Sequence, residues 1–173
     1  MELESVFLNG TVGAGKTTTG ETLHRLLADE GISNAMIDLD QLRRSWPAPP
    51  NDRFNHELEL KNLQSVAGNY REVGVRRFIL AGVLEDPAEV DRYRLAQGGG
   101  KLTVIRLDPP LDAVRERLRN RHDADSAELS GHLHRSGELH GILTEARLET
   151  HVLAVGRQSP DDVARKVRAL LGW

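Results

Sequence analysis

No cysteine occurs in the 173-residue chain, so neither a disulfide framework nor a thiolate metal site contributes to its fold or chemistry. Aromatic residues are scarce, with two Trp, two Tyr and three Phe. That leaves no interleaved stacking platforms of the kind that hold single-stranded nucleic acid. Positive charge is not in excess either: 23 Lys and Arg stand against 26 Asp and Glu, for a net −3. A partner with a phosphate backbone, or an anionic membrane surface, is therefore not expected. No apolar run approaches the roughly 20 residues of a membrane-spanning helix. The first residues also lack the basic-then-apolar order of a secretion signal. What is present, 39% hydrophobic and 28% charged residues, suits one globular domain over 1–173 with a real core.

Against these absences one segment stands out. Gly10, Thr11, Val12, Gly13, Ala14, Gly15, Lys16, Thr17 and Thr18 carry the Gly-x-x-x-x-Gly-Lys-Thr spacing of a phosphate-binding loop. Val6-Phe7-Leu8 before it reads as a buried strand, and Leu23, Leu26 and Leu27 after it recur at helical spacing. The chemistry needs that context. Glycines let the backbone wrap a phosphate chain, and amides at the helix start point at the anion. Lys16 then reaches the outer phosphates, and the Thr17 hydroxyl holds Mg²⁺. A nucleoside triphosphate, ATP with GTP left open, and Mg²⁺ are the expected cofactors. The cytoplasm is the expected location, because nucleoside triphosphates are found there.

Apolar runs alternate with helical patterns along the whole chain, which argues for an α/β fold with a parallel sheet between helical layers. Strands are expected over 5–8, 34–37, 77–80, 102–107 and 151–155. Helices are expected over 16–30, 41–45, 54–73, 87–96, 111–121 and 160–171, with 126–144 in two pieces broken near Gly137 and Gly141. The Ser159-Pro160-Asp161 sequence is a start signal for the last helix.

A second constellation lies where the second strand ends: Ile37-Asp38-Leu39-Asp40-Gln41-Leu42-Arg43. In open α/β sheets ligands sit beyond the carboxyl ends of strands, so Asp38 and Asp40 should face the same crevice as the loop. One carboxylate can orient or deprotonate an acceptor hydroxyl while the other holds a metal-bound water. The alternative is a capping Asp40 and a surface Asp38. Arg43 either clamps an anionic group of the acceptor or is a solvated helix arginine.

With these residues the chain resembles the small-molecule kinases of the P-loop superfamily, most closely adenylylsulfate kinase. That family follows its second strand with Asp-Gly-Asp-Asn-Val-Arg, and its next helix carries Phe-Ser-x-x-Asp-Arg-x-x-Asn-Ile. Asp38, Asp40 and Arg43 match the first pattern, and Phe54 and Asn62 match the second. The family's Asp-Arg pair is replaced by Leu58 and Glu59, so the resemblance does not extend to adenylylsulfate as the acceptor. It implies a three-layer P-loop fold with a five-stranded parallel sheet and a helical lid over about 118–145. It also implies catalytic roles for Lys16, Asp38, Asp40 and Arg121, and metal binding by Thr17 and Asp38. Acceptor contacts would come from Asp40, Arg43, Phe54 and Asn62, with Trp46 either stacking on the acceptor or covering the core, the latter favoured.

The run Arg117-Leu118-Arg119-Asn120-Arg121 is similar to the lid entry of gluconate-type and nucleoside monophosphate kinases, Arg-x-x-x-Arg. Residues four apart share a helix face. By that resemblance Arg117 stacks on adenine, Arg121 neutralises the transferring phosphate, and Gly156 and Arg157 border the base. A solvated arginine face is the alternative. Phe78-Ile79-Leu80-Ala81-Gly82 ends in glycine where a water-using NTPase usually has a Walker-B aspartate, which disfavours a motor or switch. No histidine pair has helical zinc spacing, and His132, His134 and His140 are expected to line a polar lid. The expected activity is transfer of the γ-phosphoryl group to a hydroxyl of a small metabolite by a monomer or homodimer. The acceptor could be a nucleoside-like compound, a sugar acid or an antibiotic-type molecule. A nucleotide sensor without transfer and a polynucleotide or nucleoside kinase remain the alternatives.

Overall fold

The computed structural model describes residues 2–121 and 126–173, with Arg121 described by its backbone alone. Twelve elements follow in order: β1 (Glu4–Asn9), α1 (Lys16–Asp29), β2 (Ala35–Asp38), α2 (Leu39–Leu42), α3 (His56–Glu72), β3 (Arg77–Ala81), α4 (Glu89–Ala96), β4 (Lys101–Asp108), α5 (Leu111–Arg121), α6 (Ala127–Ala146), β5 (His151–Ala154) and α7 (Pro160–Leu171). The five strands form one sheet in the order β2-β3-β1-β4-β5. Every neighbouring pair is parallel, with Phe7 in register with Leu80 on one side and Val104 on the other. Among the described residues no helix is long and apolar enough to cross a membrane.

The two-residue side-chain period of the strands splits the core into two layers. Phe7, Phe78, Leu80 and Ile37 face α2, α3 and α4, meeting Leu39, Leu60, Leu63 and Tyr93. Val6, Leu8, Ile79 and Ile105 face the other way, onto Leu23 and Leu27 of α1 and Val163 and Val167 of α7. Central strands covered on both faces read as near-continuous apolar runs, which is why 5–8 and 77–80 were legible. Burying each large aliphatic side chain contributes about 1.5–3 kcal/mol. A third, smaller cluster joins α5 to α6 through Val114, Leu118, Leu129 and the half-buried Leu133, with Val12 of the phosphate-loop segment against it.

Two helices depart from expectation. The helix after β2 is Leu39–Leu42, two residues earlier than 41–45, because Asp38 caps it and pulls its start to the strand end. The 126–144 region is one continuous helix, α6, not two pieces. Ser126 caps it, its hydroxyl accepting from the Leu129 amide at 3.1 Å, and Leu129, Leu139 and Leu143 bury one face. A buried face and a cap outweigh the helix penalty of glycine, about 1 kcal/mol per residue. Serine at 159 and Asp162 form the capping box of α7, with Pro160 at its first turn.

A β-carbon at Gly137 or Gly141 would meet no heavy atom within 4 Å. Gly137→Ala and Gly141→Ala should therefore each stabilise the protein, by about 0.5–1 kcal/mol. Thermal unfolding of the two variants checks this; a lowered midpoint in either would mean that the glycine is needed where it stands.

Candidate functional site

The phosphate-loop sequence leaves β1 at Asn9, a fully buried residue. Its carboxamide oxygen accepts from the amides of Gly10 at 2.9 Å and Leu84 at 3.0 Å, and its nitrogen donates to the Leu84 carbonyl at 2.9 Å. The loop after β1 is thereby tied to the loop after β3. Gly10 has φ +146°, and a β-carbon there would lie 2.7 Å from the Leu107 carbonyl oxygen. Gly15 sits at the N-cap of α1 with φ +93°, and the first turn carries no acidic side chain. The helix start is thus left with uncapped amides and an unopposed positive dipole end.

Lys16 curls back over the loop, its ammonium donating to the carbonyls of Gly10 at 2.9 Å and Thr11 at 2.8 Å. Burial pushes its pKa from 10.5 down to about 8, with Asp40 and Asp38 pulling it back up. Gly10 and Thr11 therefore serve as the floor that seats Lys16. Val12, Gly13, Gly15, Lys16, Thr17 and Thr18 border a cavity of about 420 Å³, and Ala14 borders a second one beyond the loop.

Thr17 and Asp38 come together as their sequence positions implied: the threonine hydroxyl donates to Asp38 Oδ2 at 3.0 Å. Asp38 Oδ1 accepts from the Asp40 amide at 3.0 Å, so the helix cap is Asp38 and not Asp40. Asp40 is left exposed at the cavity rim. A hydroxyl beside a carboxylate is an all-oxygen donor set suited to Mg²⁺, which takes few protein ligands and keeps waters and phosphates. No cluster of three or more metal-ligating His, Asp or Glu occurs among the described residues. Gly82 follows β3 at the position where an aspartate is absent, and it packs closely against Leu39. A β-carbon there would lie 2.7 Å from Leu39 Cδ1.

Arg43 is not a solvated arginine. Its guanidinium pairs with Glu59, which is fully buried, and lies 3.6 Å from Asp40. The Tyr93 hydroxyl donates to the other Glu59 oxygen. Burial pushes the Glu59 carboxyl above its usual range, against the pull of Tyr93 and Arg43. Burial and the neighbouring Glu59 also raise the Tyr93 hydroxyl. The acidic residue standing where the resemblance expected an arginine is thus enclosed, acting through Arg43 rather than facing the cavity.

Phe54 lines the cavity and is 60% exposed. Trp46 and Asn62 do not line it. Trp46 is 92% exposed, so it does not cover the core as favoured from sequence. The Asn62 amide donates to the Leu42 carbonyl at 2.7 Å, tying α3 to the end of α2. Asn55 does similar work on the intervening loop, donating to the carbonyls of Arg43 and Ser45, both at 2.9 Å. His56, Glu85, Asp86, Glu89 and Arg135 complete the cavity wall and were not singled out in the sequence. Of α6, Arg135 and Leu139 reach the cavity, whereas His132, His134 and His140, expected to line a lid, do not. These residues come from separate elements, so no local spacing announced them.

On the far side of the loop a second cavity, about 390 Å³, is bordered by Gly13, Gly15, Arg117, Val155, Gln158 and Pro160 among others. Arg117 borders this cavity and donates to the Gly13 carbonyl at 3.5 Å. Gly156 and Arg157 are exposed and do not border it; their neighbours Val155 and Gln158 do. The side chain of Arg121 lies outside the described residues.

With this geometry in place, comparison with known proteins is informative. The family described as "AAA domain" matches residues 6–132. The adenylyl-sulfate kinase of Rhodopirellula baltica is 28% identical over 138 residues, 65% of this chain and 54% of that protein. The chain thus spans about half the length of that curated relative. Two solved structures are similar in fold over nearly the whole chain. The tunicamycin resistance protein of Deinococcus radiodurans has a TM-score of 0.66 at 21% identity, covering 99% of this chain and 96% of that one. The Mycobacterium tuberculosis APS kinase CysC, in complex with AMPPNP and APS, has a TM-score of 0.64 at 19% identity, covering 99% of each chain.

Asn9→Ala should remove three hydrogen bonds and strand two buried amides and a carbonyl. The expected loss is about 3 kcal/mol, at about 1 kcal/mol or more per stranded group. Denaturant unfolding measures it; a loss under 0.5 kcal/mol would show that the two loops are held by something else.

Proposed function

The chain belongs to the AAA-domain family, a P-loop fold shared with small-molecule kinases, and on that premise we propose that it moves the γ-phosphoryl group of a nucleoside triphosphate to a hydroxyl of a small acceptor. One observation carries the reading. The uncapped start of α1, Lys16, Thr17 and the exposed Asp40 all border one cavity, and Asp38 stands just behind it, accepting from the Thr17 hydroxyl. A fixed set of amides and one ammonium for phosphate, an oxygen pair for a hard cation, and a free carboxylate opposite them are the parts such a transfer needs.

ATP is the expected donor, with its polyphosphate wrapped by residues 10–18 and its base on the Arg117 side, in the second cavity. Thr17 and Asp38 are the residues that would hold Mg²⁺, which when bound supplies charge neutralisation on the phosphate oxygens. In the transfer, the acceptor oxygen forms a bond to the γ-phosphorus and the β–γ bridging bond breaks. The nucleoside diphosphate leaves, and the acceptor proton passes to Asp40. Lys16 meets the charge that develops on the bridging oxygen. Its ammonium exchanges the Gly10 and Thr11 carbonyls for phosphate. We assign α5 and α6 (with the segment joining them) to a lid over about 118–145 that excludes water, its inner face supplied by Arg135 and Leu139. Arg121 belongs to that lid in this reading, closing over the γ-phosphate.

Lys16→Ala should abolish acceptor-dependent formation of nucleoside diphosphate. Asp40→Asn should lower the rate of the chemical step about 10²–10⁴-fold, the usual contribution of a positioned general base, while nucleotide affinity changes little. Single-turnover kinetics beside calorimetric binding separates the two effects. Unchanged single-turnover rates would remove Asp40 from the mechanism. Calorimetric silence with both magnesium-ATP and magnesium-GTP would remove the kinase reading altogether.

Lys16 also sets a pH dependence. Above about pH 8 the free protein holds its amine neutral, and a bound polyphosphate draws the proton back. Nucleotide affinity should therefore fall as pH rises from 8 towards 10, and binding in that window should take up a proton. The comparison is of calorimetric heats in two buffers of different ionisation enthalpy at pH 9. Equal heats in both buffers would mean that Lys16 stays charged throughout.

A further inference from the structure

The half of the cavity that faces Asp40 has an uneven charge pattern. Each guanidinium lining it is already matched by two carboxylates. Arg43 faces buried Glu59 and, at 3.6 Å, Asp40. Arg135 reaches down from α6 to Glu85 and, at 2.8 Å, to Glu138. His56 Nε2 lies 2.6 Å from a Glu89 oxygen that Arg92 also meets at 3.1 Å. Acidity on the same wall is less fully matched. Asp86 is exposed, lines the cavity, and has only the Ala88 amide on its Oδ1, at 2.8 Å. Among the described residues no cation lies within ion-pair distance of it.

An acceptor carrying a carboxylate, sulfate or phosphate would find no unpaired guanidinium here. To take Arg43 it would have to displace Asp40 or leave Glu59 alone in the core, and an unpaired buried carboxylate is strongly disfavoured. It would also approach Asp86, Glu85 and Asp40, all of its own sign. An ammonium group meets the opposite situation: a solvent-facing Asp86 without a cationic partner among the described residues, and beside it Glu85, one of whose oxygens is taken by Arg135.

We propose that the phosphoryl acceptor is a polyhydroxylated molecule bearing an amino group and no acidic one, its ammonium held by Asp86 and Glu85 while one hydroxyl faces Asp40. This rests on the kinase reading above and narrows it to an acceptor class. The amino group is a handle for orientation and keeps its proton. The hydroxyl that receives the phosphoryl group loses its proton to Asp40, as in the transfer described above.

The test uses three cyclohexane polyols matched in ring size and different in charge: 2-deoxystreptamine (two amino groups), myo-inositol (neutral) and quinate (a carboxylate). Each is titrated calorimetrically into the protein loaded with Mg²⁺ and AMPPNP. The expected order is 2-deoxystreptamine tightest and quinate weakest. The gap should be at least about tenfold, the effect of one favourable charge contact. Asp86→Asn, which keeps the oxygen that accepts from Ala88, should cut the 2-deoxystreptamine affinity about tenfold and leave myo-inositol unchanged. Quinate binding as well as or better than the diamine would overturn the proposal. So would the absence of binding by all three, or a preference for the diamine that survives Asp86→Asn combined with Glu85→Gln. Failure of AMPPNP itself to bind is a separate outcome that removes the kinase reading. The same titrations on the nucleotide-free protein then still decide the charge preference.

Discussion

The buried carboxamide of Asn9 is the constraint on which the site depends. It stands at the carboxyl end of the central strand, where the backbone must stop pairing with β3 and β4 and turn into the phosphate loop. By answering the Gly10 amide, the Leu84 amide and the Leu84 carbonyl together, it satisfies the polar groups that the turn would otherwise strand in the core. It also sets the distance between the loop after β1 and the loop after β3, and so the width of the cavity. Lys16, Thr17 and the start of α1 on one side, and Glu85 and Asp86 on the other, inherit their positions from that connection.

A second buried connection shapes the acceptor half. Glu59 lies on the apolar face of α3, with Leu60, Leu63 and Ala67 nearby on the same helix. Its carboxyl is tolerated there because Arg43 and Tyr93 close on it from two different elements. The consequence is a fixed Arg43 whose charge is already answered. In relatives of this fold an arginine at that place in the helix is part of the resemblance described above; here the polarity is reversed and the cation comes from the segment after α2. A cavity whose cations are internally matched discriminates by what it leaves unmatched, and that is acidity at Asp86.

Helix α6 links both halves. Its small apolar cluster with α5 includes Val12, so its packing touches the phosphate loop directly. Through Arg135 it also touches the far wall. Contacts of this kind, the ion pair of Arg135 with Glu85 and a few aliphatic side chains, are light enough to be remade when a ligand enters.

Some of this was readable from the residues in order. The central strand runs are apolar because both sheet faces are covered there, so their positions and parallel arrangement followed from the alternation of apolar runs with helical patterns. The phosphate loop and the Asp38–Asp40 pair were legible because their chemistry lies within a few consecutive residues. The join between Thr17 and Asp38 followed from Asp38 ending β2 and Thr17 opening the helix after β1, both at the carboxyl side of the sheet. Other features came only from packing. The continuity of α6 against its glycines depends on a buried leucine face. Asn62 was expected to contact the acceptor, yet in the fold it satisfies the Leu42 carbonyl. The burial of Glu59, and the convergence of His56, Glu85, Glu89 and Arg135, involve residues up to tens of positions apart. Local spacing determines what a short segment can bind, since backbone geometry repeats over a few residues. Which charges cancel across a cavity is a property of distances between elements, and those exist only once the chain has closed around its core.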